Sequence, residues 1–268
     1  AYDLASRGFD PLAANRLILC SDGVANVGAT GPQSILARID REARRGIELT
    51  TVGFGMGNYN DVLMEKLADQ GDGRYAYVDS LDEARRIFVE GLTGTLQTVA
   101  KDAKVQVEFD PRSVASYRLL GYENRDVADE RFRDDSVDAG ELGAGHEATA
   151  LYEVKLQPWA VGARGSGSIA KVSLRWQPTS GGRAVQEISR DLRFSDLSAN
   201  WRSAPRGLRL AATVAQFAEI LRGSYWAKGE SLEQVVEEAR GLGGLFGGDR
   251  NVSDFANLVG KAARLARR

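Results

Sequence analysis

The stretch NRLILCSDGVANVG, Asn15 to Gly28, drives an apolar run, Leu17–Ile18–Leu19, straight into an acid, Asp22. Ligands of open parallel sheets bind beyond the carboxyl ends of the strands. Asp22 lies at such an end, with Ser21 before it and Asn26 after it. Carboxylate and hydroxyl oxygens there suit a hard cation such as Mg²⁺, as direct ligands or as partners of its waters. The plainer alternative is an Asx turn that closes the strand.

Three further constellations invite chemistry. TVGFGMGNYND places glycines between a strand and a helix, where they could cradle phosphate, and Asp79 ends the next strand as a ribose-binding acid would. The G-x-G-x-x-G spacing fails, because Asn58 stands third after Gly53 and Gly55, and Asn60 third after Gly55 and Gly57. A tight turn that admits close approach accounts for these glycines equally well. His146, the single histidine, follows Asp138 and Glu141. One imidazole and two acids could bind a metal, but the spacing fits no standard site. A loop histidine hydrogen-bonded to its own linker is the simpler expectation. Ser21 lacks the G-x-S-x-G elbow of a nucleophilic serine.

The elements that must position these groups fall into three segments. Over 1–102 strand and helix alternate: Leu17–Cys20, a helix from Pro32 ended by Gly46, the strand IELTTVGFG, the helix NDVLMEKLADQGDG, the strand RYAYVDS, and a helix capped by Ser80 through LDEARRIFVEGLTGTLQTVA. This order predicts a parallel sheet covered by helices on both faces. Over 103–196 the period shifts to two. AKVQVEFDP, VASYRLLGYENR, HEATALYEVKL, GSIAKVSLRWQP and AVQEISRDLRF predict an antiparallel β-sandwich, with a long acidic link ahead of His146. Over 197–268 the chain is helical, with stripes at Leu210, Val214, Phe217 and Leu221, at Val235, Val236 and Ala239, and at Phe255, Leu258, Val259 and Ala262. GLGGLFGGD reads as a turn between helices.

Composition narrows the classes. The 268 residues carry a net charge of −2, so nucleic acid is not an expected partner. The basic end GKAARLARR suits a helix C-terminus. No apolar run reaches the length of a membrane span. Cys20 is the single cysteine, so no internal disulfide forms, and its apolar neighbours predict burial. Trp159, Trp176, Trp201 and Trp226 are too dispersed for a stacking platform and predict core or interface packing. The start, AYDLASRGFD, opens in mid-helix without a capping residue, so we expect the natural chain to begin earlier.

NRLILCSDGVANVG and GIELTTVGFGMGNYNDVLMEKLADQGDGRYAYVDSLDEARRIF together resemble the second half of a von Willebrand factor type A domain. More narrowly the chain resembles the bacterial YfbK-like group. There a type A domain precedes a characteristic C-terminal region similar to YRLLGYENR, VDAGELGAGHEATALYEV and LRGSYWAKGESLEQV here. The resemblance covers nearly the whole chain. It implies a partial Rossmann-like sheet with a metal-ion-dependent adhesion site at its carboxyl edge.

That site uses a D-x-S-x-S after the first strand, a Thr from a second loop and an Asp from a third. Asp22 matches the third-loop Asp, with Ser21 as an accompanying oxygen, and the other two loops would precede Ala1. DLSAN at Asp196 does not fit D-x-S-x-S. The resemblance therefore implies a non-enzymatic adhesion or protein-interaction module. In the full-length protein Mg²⁺ or another divalent cation would accept a carboxylate from a partner protein. One carboxylate does not offset the dehydration of Mg²⁺, so no cation is expected on this chain by itself. Relatives of this kind often carry export or lipoprotein signals, which implies the cell envelope. The competing class is an enzyme that uses the sheet for nucleotide or hydrolytic chemistry; the failed glycine spacing and the missing nucleophile weigh against it.

Overall fold

A computed structural model describes residues 1–11, 13–22, 32–55, 61–91, 98–121, 127–135, 137, 139–163, 165, 167–179 and 184–266. The chain forms a three-stranded parallel sheet, antiparallel sheets and C-terminal helices. It divides into two compact units interleaved in sequence: 1–106, 128–147 and 173–189 form the first, and 107–127, 148–172 and 190–268 the second. The consecutive segments 1–102, 103–196 and 197–268 follow a different division.

In the first unit, helix α1 (Tyr2–Arg7) leads to β1 (Asn15–Ser21), α2 (Pro32–Ala43), β2 (Ile47–Phe54), α3 (Asp61–Asp69), β3 (Tyr75–Val78) and α4 (Leu81–Arg85). The strands lie in the order β1-β2-β3, parallel throughout. β2 is central and buried along almost its whole length, as its apolar run requires. Leu36 and Ile39 of α2, Leu49 of β2, and Met64 and Leu67 of α3 make the core of one face, with Tyr2, Leu17 and Tyr75 against it. The Thr51 hydroxyl, fully buried, donates to the Met64 carbonyl at 2.9 Å and fastens α3 to β2. Gly46, with φ +89°, ends α2 in a conformation L side chains rarely adopt. The Leu49 amide donates to the Gly71 carbonyl and the Thr51 amide to the Arg74 carbonyl, both at 2.7 Å. The chain between them passes so close that a Cβ on Gly73 would lie 2.0 Å from the Leu49 carbonyl oxygen.

β1 corrects an expectation. It pairs only with β2 among the described residues, and Ile18, Leu19 and Cys20 are exposed. Leu19 is 39% exposed and Cys20 is exposed rather than buried. The helix expected through Ala100 is also shorter. Ser80 caps α4 by accepting from the Glu83 amide at 3.2 Å, a π-turn runs over Arg86–Glu90, and Gly91 ends it. Thr98 and Val99, β-branched residues that favour strands, begin β4 (Thr98–Phe109) instead.

The remaining strands are β5 (Val114–Leu120), β6 (Gly140–Gly143), β7 (Leu151–Leu156), β8 (Ser168–Pro178) and β9 (Gln186–Arg193). One sheet has the order β6-β4-β8-β9, with β4 and β6 antiparallel; β5 and β7 form an antiparallel pair. β6 was not foreseen in the acidic link, because glycines flank its Glu141–Leu142 and hide the alternation.

In the second unit Val114, Ala160, Ile169 and Phe194 form a core joined by Phe109, Val154 and Leu156. Trp159 and Trp226 are mostly exposed, and Trp201 is 45% exposed, which corrects the expectation of core packing; Trp176 is half-buried. Trp159 meets Phe194 edge-on and donates from its ring nitrogen to the Arg112 carbonyl.

Helices α5 (Arg206–Leu221), α6 (Leu232–Leu245) and α7 (Arg250–Ala266) bury Phe217, Val235, Ala239 and Val259 together. Val214, Leu221 and Leu258 belong to the expected stripes but are exposed. Gly241, Gly243 and Gly244 are helical, with Leu242 fully buried between them, so the turn falls later, at Gly247 and Gly248. Core burial of one leucine outweighs the helix penalty of its glycine neighbours.

Gly73→Ala should destabilise the first unit by about 2 kcal/mol or more, because the obstructing atom is backbone and cannot rotate away. Urea denaturation followed by circular dichroism reads this, and an unchanged midpoint contradicts the packing described.

Candidate functional site

The carboxyl ends of the parallel strands carry the residues singled out from sequence. In register, Ser21 of β1 lies beside Gly53 of β2, and Gly53 beside Tyr77 of β3. Asp22 follows directly and is exposed; Asp79 follows β3 and is also exposed. The Tyr77 hydroxyl donates to the Gly55 carbonyl at 2.5 Å, which ties the end of β2 to β3. Gly55 takes φ +92° to make that turn. Asn26, Asn58, Asn60 and Gly57 lie outside the described residues, as does Asp138. Among the described residues no three His, Cys, Asp or Glu side chains gather as a metal site. Asp196 has a local role: its carboxylate accepts from the Arg193 amide at 2.9 Å and caps a short 3-10 turn.

The first unit also brings together polar groups that sequence reasoning missed. Alternation along β1 and β2 puts Arg16 and Ile18 on the same sheet face as Glu48, Thr50 and Val52, opposite the core of α2 and α3. Arg16 and Glu48 are direct cross-strand partners, Glu48 buried and Arg16 half-buried with its side chain 8% exposed, and form an ion pair through Nη2 and Oε2. Arg16 Nη2 also donates to the Thr98 hydroxyl at 3.3 Å, and that hydroxyl lies 3.4 Å from Glu48 Oε1. Burial, then the cation of Arg74, hold the Arg16 guanidinium below its ordinary pKa, with Glu141 opposing them. Arg74 is lowered by burial. Charged and hydroxylic residues inside an otherwise apolar strand, IELTTV, were the available signal.

Ile18, Thr50, Val52, Arg74, Ala76 and His146 line a cavity of about 210 Å³ on this face, closed by Ile87 and Phe88 of the π-turn. His146 Nδ1 is buried without a hydrogen-bond partner among the described residues, and only its backbone amide donates, to Gly143 at 3.1 Å. Burial, then Arg74 and Arg16, hold its pKa below the ordinary 6.5. Glu141 lies with Arg16 and Arg74 around a smaller adjoining space.

The comparisons with known proteins bear on the whole chain. The family described as "Uncharacterized protein YfbK, C-terminal" matches residues 94–265. The chain belongs to the YfbK family. It is 34% identical over 260 residues to "Uncharacterized protein YfbK" of Escherichia coli (strain K12), a match that covers 90% of this chain and 43% of that protein. The chain thus spans less than half the length of that relative. Among solved structures, it is similar to a von Willebrand factor type A protein from Catenulispora acidiphila at TM-score 0.43 and 15% identity, covering 92% of this chain and 60% of that one. It is also similar to the human COPII-coat protein Sec24c at TM-score 0.43 and 13% identity, covering 85% and 32% of the two chains.

Two outcomes test the geometry of this YfbK-family chain. Arg16→Met leaves the Glu48 carboxylate buried and unpaired, which should cost about 3 kcal/mol or more; adding Glu48→Leu should recover most of the loss. Chemical denaturation of both variants decides the matter. The second outcome concerns His146. A folded pKa below the unfolded value means that the unfolded chain binds more protons between the two. Stability is then full above pH 6.5 and falls as pH drops through and below it. The single imidazole gives one C–H resonance to titrate by NMR, and its midpoint should lie below 6.5, while His146→Gln should flatten the loss of stability between neutral and mildly acidic pH.

Proposed function

We propose that this chain is part of a non-enzymatic protein-interaction module of the von Willebrand factor type A kind. Asp22 supplies one oxygen ligand, with Ser21 beside it, to a divalent cation site completed by residues outside this chain. The cation's open position takes a carboxylate from a partner protein. The observation that carries this reading is Asp22 itself, an exposed acid directly beyond the carboxyl end of a parallel strand. Its match to the third-loop Asp of type A domains supports the same role. The antiparallel strands, which we read as a sandwich, and the helices α5–α7 serve as scaffold or as a second interaction surface. We place the protein in the cell envelope.

Calorimetric titration of the longest natural form of the protein with Mg²⁺ or Mn²⁺ tests the reading. Binding should weaken by about tenfold or more in Asp22→Ala, since each lost oxygen ligand must be replaced by water. ATP or NAD binding that persists in the presence of a chelator would instead point to an enzyme of nucleotide chemistry.

A further inference from the structure

We propose that the cavity on the Ile18–Thr50–Val52 face of the parallel sheet binds a small organic monocarboxylate, its carboxylate held by Arg74, Thr50 and His146. The inference is independent of the cation at Asp22, which concerns the strand ends rather than the sheet face.

The argument begins with unsatisfied groups. Thr50 is 3% exposed, and its hydroxyl has no hydrogen-bond partner among the described residues. His146 Nδ1 is buried in the same condition. Buried polar groups are nearly always paired, and an unpaired one calls for an explanation. Both residues line one cavity, so a single ligand can satisfy both. The third polar group, Arg74, is half-buried, and no carboxylate pairs with its guanidinium among the described residues. Arg86 also lines the cavity, but it pairs with Glu83. The convergent set is therefore one cation, one hydroxyl and one neutral imidazole: it favours an acceptor with a single negative charge.

The walls determine the rest of the ligand. Ile18, Val52, Ala76, Ile87 and Phe88 offer apolar surface. An inorganic anion would leave these walls dry and empty. A planar carboxylate matches a guanidinium bidentately, and an apolar body fills the remainder. A volume of about 210 Å³ admits a molecule of fragment size.

The arrangement also makes an unusual demand on Thr50. Thr50→Val keeps the shape and removes the orphaned hydroxyl. In a merely structural position the change would alter stability alone. In this cavity it should leave stability equal or higher, because an unpaired buried hydroxyl is lost, while weakening the ligand.

The test uses benzoate as the probe and benzamide as its uncharged isostere, with the full chain labelled for methyl and amide NMR. Benzoate should bind with a Kd on the order of 1 mM. It should shift resonances of Ile18, Thr50, Val52, Ala76 and Ile87, and benzamide should bind at least about tenfold more weakly. Arg74→Gln and Thr50→Val should each weaken benzoate by about fivefold or more, converging on the benzamide value. Should Arg74→Gln fail to fold, Thr50→Val decides by itself. Three results would overturn the proposal: equal affinity for benzoate and benzamide, shifts confined to other residues, or unchanged benzoate affinity in a folded Thr50→Val. Inorganic phosphate binding more tightly than benzoate would overturn the monocarboxylate assignment as well.

Discussion

The ion pair between Arg16 and Glu48 is the constraint on which the first unit turns. It joins two neighbouring parallel strands through side chains directly opposite each other, and Thr98 brings the start of β4 to the same point. Burying both charges is costly, and their attraction repays the cost only when the geometry is good and further hydrogen bonds are made. Register follows from this. A slip of one residue between β1 and β2 would turn one of the two charges to the opposite face, among Leu36, Leu49 and Leu67. The pair thus fixes which side chains of β1 and β2 face α2 and α3 and which face the cavity.

Once that register is fixed, electrostatics on the second face follow from proximity. Arg16 is neutralised by Glu48, whereas Arg74 raises the local positive potential without such a partner among the described residues. His146 responds by holding its proton less tightly, after the larger effect of burial. In the second unit the same problem has a different solution. Glu219 is buried, which disfavours its charge, yet Ser224, Arg118 and Arg222 all contact its carboxylate and outweigh burial, drawing its pKa down. Arg118 also lies over the ring of Trp226, 5.0 Å from its centre, so one guanidinium serves a buried anion and an exposed aromatic face.

Much of the fold was legible in the sequence. Strong apolar runs such as IELTTVGF, period-two alternation in VQVEF, and the stripe of Val235, Val236 and Ala239 each express a local rule with a large energetic consequence. The failures have identifiable causes. Cys20 and Leu19 looked buried because an apolar run does not tell an outer strand from a central one. The helix from Leu81 was drawn too long because its apolar spacing outlasted the point where Thr98 and Val99 change the backbone preference. Asp22 was legible as a strand-end acid because it follows an apolar run almost directly. The cluster of Arg16, Glu48, Thr50, Arg74 and His146 was not, because four distant segments contribute to it and no spacing announces it.

The exposed position of Cys20 has a chemical consequence. It is the chain's one sulfhydryl, standing on the outer strand two residues before Asp22. With no second thiol among residues 1–268, a disulfide at Cys20 must reach a sulfur outside this sequence, on another stretch of the protein or on another molecule. An adduct at that sulfur would sit beside the strand end that carries the acid, and so redox state and access to Asp22 share one small region of surface.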